Sequence, residues 1–198
     1  MMKKMTFKNG LLAIALLVAT TAVAAISLSL WTNDKAHSQL QFTVDHLGLS
    51  DVSGMFEDFD VTITSESEDF SDAVFELTAQ VGSINTRIEA RDNHLKSADF
   101  FDVETYPTIT YKSTGITKVG EDRFTLTGDL TIHGVTKSVD MDLWYRGIVV
   151  DEESNKQTVG FQLTGVINRM DFNVGPGFPE PMISNEVRIK ADGEFIKQ

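Results

Sequence analysis

The feature that most constrains this chain is an alternation of apolar and polar residues that recurs along most of its length. In residues 39–45, with the sequence QLQFTVD, every second side chain is apolar, and residues 75–81 and 139–145 repeat the pattern. Alternation with a period of two is typical of strands that bury one face of an antiparallel sheet. A chain built almost wholly of such strands must close its apolar face on itself, so we expect an all-β fold.

The alternating segments number about eight, which predicts an extended antiparallel β-barrel. We expect strands at residues 36–45, 52–64, 75–84, 109–118, 124–132, 138–150, 158–167 and 186–196. A barrel of this size is either filled by side chains or holds one small apolar ligand.

Three segments depart from the alternation. In residues 52–64 the apolar positions change parity at Glu57 and Asp58, which predicts a β-bulge. From Arg87 to Phe101 the apolar spacing is nearly helical, which predicts one short α-helix that ends before Pro107. We expect the glycine- and proline-rich segment from Gly175 to Pro181 to be a long loop.

The amino-terminal segment has the pattern of a signal peptide. Lys3, Lys4 and Lys8 precede an apolar run that ends in small residues at positions 22–24. An uncleaved anchor is the alternative, because apolar residues continue to Leu30, but threonines and serines dilute this run. We therefore expect residues 1–25 to be removed, residues 26–198 to form a single domain, and the protein to reside in the periplasm.

The charge of the chain excludes a nucleic-acid partner. The net charge of −12 becomes −15 when the signal peptide takes away three lysines and no acids. A chain this acidic lacks the basic surface that phosphate backbones require and is repelled by anionic lipid surfaces. There is no cysteine, so stability must come from the core and not from disulfides.

The polar face of the strands argues against a barrel that spans a membrane. In residues 187–190, with the sequence VRIK, apolar side chains alternate with basic ones. In other strands they alternate with acidic ones. Each arginine or lysine that faced lipid near the midplane would cost about 2–4 kcal/mol. We expect a water-soluble barrel with an apolar interior and no membrane span after signal cleavage.

Three groups of motifs identify a resemblance to a known family. They are Asp34–Ser38, Phe42–Gly48 and Val52–Phe56, then Ser83–Thr86, Arg91–Phe101 and Tyr106–Pro107, then Gly128–Thr136, with Asn168–Phe172 as weaker support. In this order and spacing they resemble the YceI-like family of bacterial exported proteins. The resemblance implies a lipocalin-like barrel with one helix that holds a long-chain isoprenoid or related amphiphile and is usually not enzymatic.

The inward positions of the strands are the candidate ligand-binding wall, and a solid core is the alternative for each of them. Burial of a five-carbon isoprene unit could contribute roughly 3–4 kcal/mol before the cost of ordering a flexible tail. The candidates are Phe42, Val44, Phe56, Phe59, Phe75, Leu77, Phe124, Leu126, Leu130, Ile132, Met141, Leu143, Phe161 and Leu163.

Cations are scarce in this chain, and those within or beside the predicted helix, together with Arg169, are candidates for binding a polar head group, since an arginine can bind a phosphate through two parallel hydrogen bonds. The candidates are Arg87, Arg91, His94, Lys96 and Arg169. The alternative for each is a structural role, such as an ion pair of Arg91 with Asp99 or of Arg169 with Asp171.

The four histidines are dispersed and show no short metal-ligand spacing, so we predict neither a metal site nor a cofactor. The leading hypothesis is a periplasmic binding or carrier protein for a long-chain isoprenoid. Two alternatives are an enzyme that acts on an amphiphile through His94, Asp92 and Arg91, and a structural or stress-related envelope protein with a solid barrel. The sequence leaves open the ligand length, the head group and whether the chain forms a homodimer.

One prediction compares the apolar wall with the head-group candidates. Leu130→Asp places an unpaired carboxylate among apolar neighbours, so we expect it to reduce ligand retention or folding more than Arg91→Ala does. Native mass spectrometry measures retention and circular dichroism measures folding. Equal or reversed effects would show that the head group dominates binding.

Overall fold

A computed structural model describes residues 28–198 of the protein, and the predicted signal peptide lies outside the described residues. The described chain forms eleven β-strands and one α-helix. They are β1 (Ser29–Asn33), β2 (Gln39–His46), β3 (Ser50–Phe56), β4 (Phe59–Ser65), β5 (Val74–Gln80), β6 (Ile84–Asn85), α1 (Glu89–Lys96), β7 (Thr108–Lys118), β8 (Arg123–Ile132), β9 (Val135–Val150), β10 (Gln157–Asn168) and β11 (Glu186–Lys197). Short 3₁₀ turns cover Val81–Ser83 and Arg169–Phe172. None of the helices within residues 28–198 has the length and apolar character that crossing a bilayer requires.

Eight strands close into an antiparallel barrel in the order β1-β4-β5-β7-β8-β9-β10-β11, and β1 pairs back with β11. This confirms the predicted all-β barrel.

The long strand β11 has two successive partners on one edge. Its residues Phe195–Lys197 pair with β1, and its residues Arg188–Asp192 pair with β2. The strands β2, β3 and β6 thereby extend the barrel wall beyond the ring.

The parity change at Glu57 and Asp58 marks a break between two strands, so the predicted bulge is wrong. Strand β3 pairs with β2 and ends at the buried Phe56, whereas β4 pairs with β1 and begins at the buried Phe59. The backbone amides of Glu57 and Asp58 donate to the carbonyl oxygen and the hydroxyl of Ser83, respectively. These bonds hold the connection between β3 and β4 in place.

Strand β1 was not predicted, because its apolar residue Leu30 continues the apolar run of the amino terminus in the sequence. The structure pairs β1 with β4 on one side and with β11 on the other. Trp31 points inward from this strand and is only 3% exposed.

The helix is shorter than predicted. It begins at Glu89, after Arg87 with a φ of 67°, and ends at Lys96, because Ser97 is extended. The apolar residues that suggested helical spacing do not share one helix face. Ile88 is 53% exposed, and Phe101 packs edge-on against Phe56. Consecutive turns after the helix, and not a longer helix, carry the chain to β7.

One end of the barrel, which we term the closed end, is filled by aromatic side chains. It is the end at which the β4–β5, β7–β8 and β9–β10 connections lie. Phe70 enters from the β4–β5 connection and packs 5.5 Å from Trp31 and 5.2 Å from Phe161, between ring centroids. Phe75 approaches Phe161 at the same 5.2 Å distance.

The opposite end, which we term the mouth, carries α1, the β2–β3 and β8–β9 hairpins and the connection between β10 and β11. The predicted loop at Gly175–Pro181 lies within this last connection. The two ends therefore differ: aromatic packing seals one, and irregular chain surrounds the other.

The close approach of β8 to Tyr111 requires glycine at position 128. A Cβ there would collide with the Tyr111 ring and lie 2.7 Å from the carbonyl oxygen of Lys112. We expect Gly128→Ala to lower the free energy of unfolding by about 1–3 kcal/mol, as overpacked cores do. Gly115→Ala is the matched control, because its Cβ meets no atom within 4 Å. Urea denaturation measures both, and equal stabilities would contradict the packing account.

Candidate functional site

A cavity of about 460 Å³ occupies the barrel between the aromatic side chains of the closed end and the mouth. This volume falls within the range of about 300–1,000 Å³ that is usual for ligand sites. The presence of the cavity contradicts the alternative of a solid barrel.

The cavity is long and narrow. Along β11 its wall runs from Val187 to Phe195, which is about 26 Å of strand and about 20 Å of barrel axis at the usual strand tilt. A volume of about 460 Å³ spread over that length is a narrow channel. Its shape accommodates an extended apolar chain.

Thirteen of the fourteen predicted wall residues line the cavity. They are Phe42, Val44, Phe56, Phe59, Phe75, Leu77, Leu126, Leu130, Ile132, Met141, Leu143, Phe161 and Leu163. The exception is Phe124, which is 3% exposed but lies outside the cavity wall, toward the closed end of β8. Alternation along a strand predicts which way a side chain points but not how deep it lies. Contact of the thirteen residues with a ligand stays a prediction.

The wall contains further residues that the sequence analysis did not single out. Among them are Leu40, Val61, Ile109, Val187, Ile189 and Ala191. All six lie on strands whose alternation includes them, so the same pattern could have found them. Ser38 and Gln39 also line the cavity where the chain passes from β1 to β2.

Tyr111 is the phenol in this wall, and it is neutral. Its hydroxyl donates to the carbonyl oxygen of Leu126 at 3.2 Å. Burial raises the pKa of Tyr111 far above the ordinary range, and the charges of Asp140 and Asp129 raise it further. The wall beside β7 and β8 is thus uncharged.

Charged side chains enter the wall at the mouth, where Arg91 is held in place by Thr86. Its Nε donates to the Thr86 hydroxyl and its Nη2 to the Thr86 carbonyl oxygen, both at 2.8 Å. Among residues 28–198 its Nη1 has no hydrogen-bond partner and no carboxylate lies within 4.0 Å of the guanidinium. The predicted ion pair with Asp99 is therefore wrong, and Arg91 keeps donors available at the cavity.

His94 lines the cavity beside Arg91 and makes the contact with Asp99. Its Nε2 lies 3.1 Å from Asp99 Oδ2. The His94 ring is nearly perpendicular to the rings of Phe100 and Phe178, with centroid distances of 5.0 and 5.2 Å, and these two rings stack on each other at 4.7 Å. This cluster joins α1 to the loop that contains Phe178.

Arg169 also reaches the cavity but has a structural role. Its side chain donates to the carbonyl oxygens of Val174, Gly175, Phe178, Ile183 and Ser184 and to the Asn185 side chain. Because these bonds use all five N–H groups, none is left for a head group. Asp171 is not among its partners, so the predicted ion pair is wrong. Burial lowers the pKa of Arg169, and the charge of Glu180 opposes this shift.

The remaining head-group candidates, Arg87 and Lys96, do not line the cavity. They border a shallow surface groove together with Glu57 and Asp92. The structure therefore brings Arg91, His94 and Arg169 to the cavity and separates Arg87 and Lys96 from it.

The residues of the enzyme alternative do not form an acid–base pair. The Asp92 carboxylate accepts hydrogen bonds from the amide and the hydroxyl of Thr86, whereas His94 pairs with Asp99. A general base and its orienting group need to lie within hydrogen-bond reach of each other. The pairing of His94 with Asp92 on which this alternative depends is therefore not formed.

One group in the described part of the chain has donor atoms close enough for a metal ion: Asp34, His37 and Glu194, within 4.8 Å of one another. His37 Nδ1 lies 3.1 Å from Asp34 Oδ2, and this hydrogen bond raises the pKa of His37 and lowers that of Asp34. None of the three lines the cavity. An exposed ion pair accounts for their approach.

The carbonyl network around Arg169 generates a stability prediction. Arg169→Met leaves buried carbonyl groups without donors, and hydrogen bonds to charged groups contribute about 1.5–3 kcal/mol each. We expect a loss of more than about 3 kcal/mol in urea denaturation, with faster hydrogen exchange in residues 174–185. Arg188→Met is the control, because Arg188 makes exposed ion pairs at the same end. A comparable loss in both variants would contradict the role of the network.

Similar proteins include two of known structure that share the fold. Burkholderia cenocepacia BcnA aligns with a TM-score of 0.73 at 24% identity, covering 82% of this chain and 98% of that one. A polyisoprenoid binding domain from Saccharophagus degradans, implicated in plant cell wall breakdown, aligns with a TM-score of 0.64 at 20% identity, covering 85% and 98%.

Two further relatives are more similar in sequence. The YCEI protein of Campylobacter jejuni is 30% identical with a TM-score of 0.69, covering 76% of this chain and 87% of its own. The UPF0312 protein SA2479 of Staphylococcus aureus is 37% identical over 169 residues, covering 83% of this chain and 96% of the relative. The model of the YceI-like domain matches residues 31–195. The chain belongs to the YceI-like family.

Proposed function

We propose that this protein binds a long-chain amphiphile of the isoprenoid class, with the tail in the barrel cavity, and carries it through the periplasm. The observation that supports this most is the narrow cavity, whose wall is almost wholly apolar, inside a barrel whose outer face is charged. Space of this kind is costly to leave unfilled, because its lining loses van der Waals partners. An apolar chain would supply them.

The energy of binding comes from the tail. Each methylene removed from water contributes about 0.8 kcal/mol, so a few isoprene units outweigh the cost of ordering a flexible chain. Tyr111 is neutral and its hydroxyl is already hydrogen-bonded, so a hydrocarbon beside it would bury no charge and no unpaired hydroxyl.

The two ends of the cavity favour one orientation of the ligand. A polar head at the closed end would face the rings of Phe75 and Phe161, which accept no ordinary hydrogen bond, and this is unfavourable. At the mouth, the free Nη1 of Arg91 can donate to an anionic or carbonyl head group. We therefore place the tail toward the closed end and the head beside Arg91 and His94.

The family supports the class of ligand and the absence of covalent chemistry. The structural neighbour from Saccharophagus degradans is described as a polyisoprenoid binding domain and has the same barrel. In the present chain Asp92 and His94 each have another partner, so the pair that the enzyme alternative requires does not form. The predicted signal peptide supports a periplasmic location.

The proposal is tested by filling the cavity from one small wall residue. Ala191 faces the cavity between Leu163 and Leu40 on the neighbouring strands. Ala191→Trp is expected to obstruct the channel and to weaken binding of a long-chain polyprenol at least tenfold, because the tail can no longer reach the closed end. Titration by native mass spectrometry measures the affinity.

The matched control is Lys190→Trp, since Lys190 precedes Ala191 on β11 and points outward. Its affinity should equal that of the unmodified protein, and the circular dichroism of both variants should be unchanged. Full affinity in a folded Ala191→Trp variant would show that the ligand does not occupy the cavity.

A further inference from the structure

We propose that the mouth docks on a lipid surface of low negative charge through an apolar tip formed by Leu47, Leu49 and Met182. The inference rests on the proposed function, because it describes how a lipid ligand enters and leaves the cavity. Leu47 and Leu49 do not line the cavity, so ligand binding alone does not explain their exposure.

The apolar tip projects from the β2–β3 hairpin. Leu47 and Gly48 have φ values of 57° and 65°, which make a tight turn. Leu49 follows with 84% of its surface exposed, the largest exposure of any large apolar residue in residues 28–198. A leucine held this far into solvent is unfavourable unless an apolar environment receives it.

Met182 joins this turn from the β10–β11 connection. Its carbonyl oxygen accepts from the Leu47 amide at 3.3 Å, and the next residue, Ile183, forms a β-bridge with His46. Met182 is 47% exposed. Two separate segments of chain are thereby bonded together with their apolar side chains exposed.

The apolar tip adjoins the cavity opening. His46, Met182 and Ile183 line the cavity, and Leu47 follows His46 directly in the hairpin. An amphiphile that left a lipid layer at this tip would pass from one apolar environment to another. A long tail would then cross little or no water, which is the step that otherwise limits its transfer.

Charge selects the kind of surface. Arg188 Nη2 lies 3.0 Å from Asp45 and 2.7 Å from Asp51, so the carboxylates that flank the hairpin are ion-paired. The chain as a whole has a net charge of −12 and would be repelled by anionic lipid. A zwitterionic surface imposes no such repulsion.

Size argues for lipid over a protein partner. A stable protein interface buries about 800 Å² on each partner, with about 20–30 residues a side. Three apolar side chains at a narrow turn are too few for that, but side chains of this kind can enter the boundary between head groups and acyl chains.

The test is flotation of the protein with phosphatidylcholine vesicles and the rate at which it takes polyprenol from them. Leu47→Asp together with Leu49→Asp is expected to lower both at least tenfold. The control is Val149→Asp, because Val149 is 71% exposed on β9 near the closed end. This control should leave both quantities unchanged. The single variant Leu49→Ser provides a milder change, with its fold checked by circular dichroism.

A second measurement separates this inference from the proposed function. Uptake of a short isoprenoid alcohol from vesicle-free solution should be equal in all variants and in the unmodified protein. If uptake is normal but no form binds phosphatidylcholine vesicles, the docking inference is overturned and the binding function stands. If no form takes up the alcohol or the polyprenol, the proposed function itself fails.

Two further outcomes would overturn the lipid assignment. One is equal or stronger binding to vesicles that contain phosphatidylglycerol, because the acidic chain should avoid them. The other is a dimer in light scattering that Leu49→Ser abolishes, which would make a second copy of the chain the occupant of the tip.

Discussion

The pairing of β1 with both β4 and β11 is the interaction on which the rest of the structure depends. Without it, β4 and residues Phe195–Lys197 of β11 would be open edges, with unpaired backbone groups and an apolar face in water. With it, the eight strands close, and Trp31 enters the barrel to pack on Phe70. The aromatic packing of the closed end follows from this closure.

The cavity begins where the aromatic side chains of the closed end stop filling the barrel. Rings from Trp31, Phe70 and Phe161 pack together at the closed end, whereas the rings of Phe42 and Phe56 on β2 and β3 line the cavity wall. At the mouth, Arg169 donates hydrogen bonds to carbonyl groups of the surrounding loop. Apolar contacts thus fill one end, and a loop bonded to a buried guanidinium borders the other.

Much of this could be predicted from the sequence, because the direction of a side chain follows from alternation. Thirteen of fourteen inward positions reached the cavity wall for that reason, whereas Phe124 shows that alternation carries no information on depth. Strand β1 was missed because Leu30 reads as part of the preceding apolar run. The break between β3 and β4 at Glu57 was predicted as a bulge. A break between two strands and an inserted residue both shift the alternation of apolar positions by one residue. The role of Arg169 could not be predicted, because its partners come from a loop without periodicity.

In the proposed function, the apolar interior is a space for a long hydrocarbon chain and not a packing defect. The most direct measurement is native mass spectrometry of the protein isolated from its own cells without detergent, before and after extraction with organic solvent. If the interior holds a lipid, we expect a mass higher than that of the polypeptide, a return to the polypeptide mass after extraction, and a long-chain amphiphile in the organic phase. An unchanged mass, together with no uptake of any long-chain lipid supplied afterwards, would contradict it.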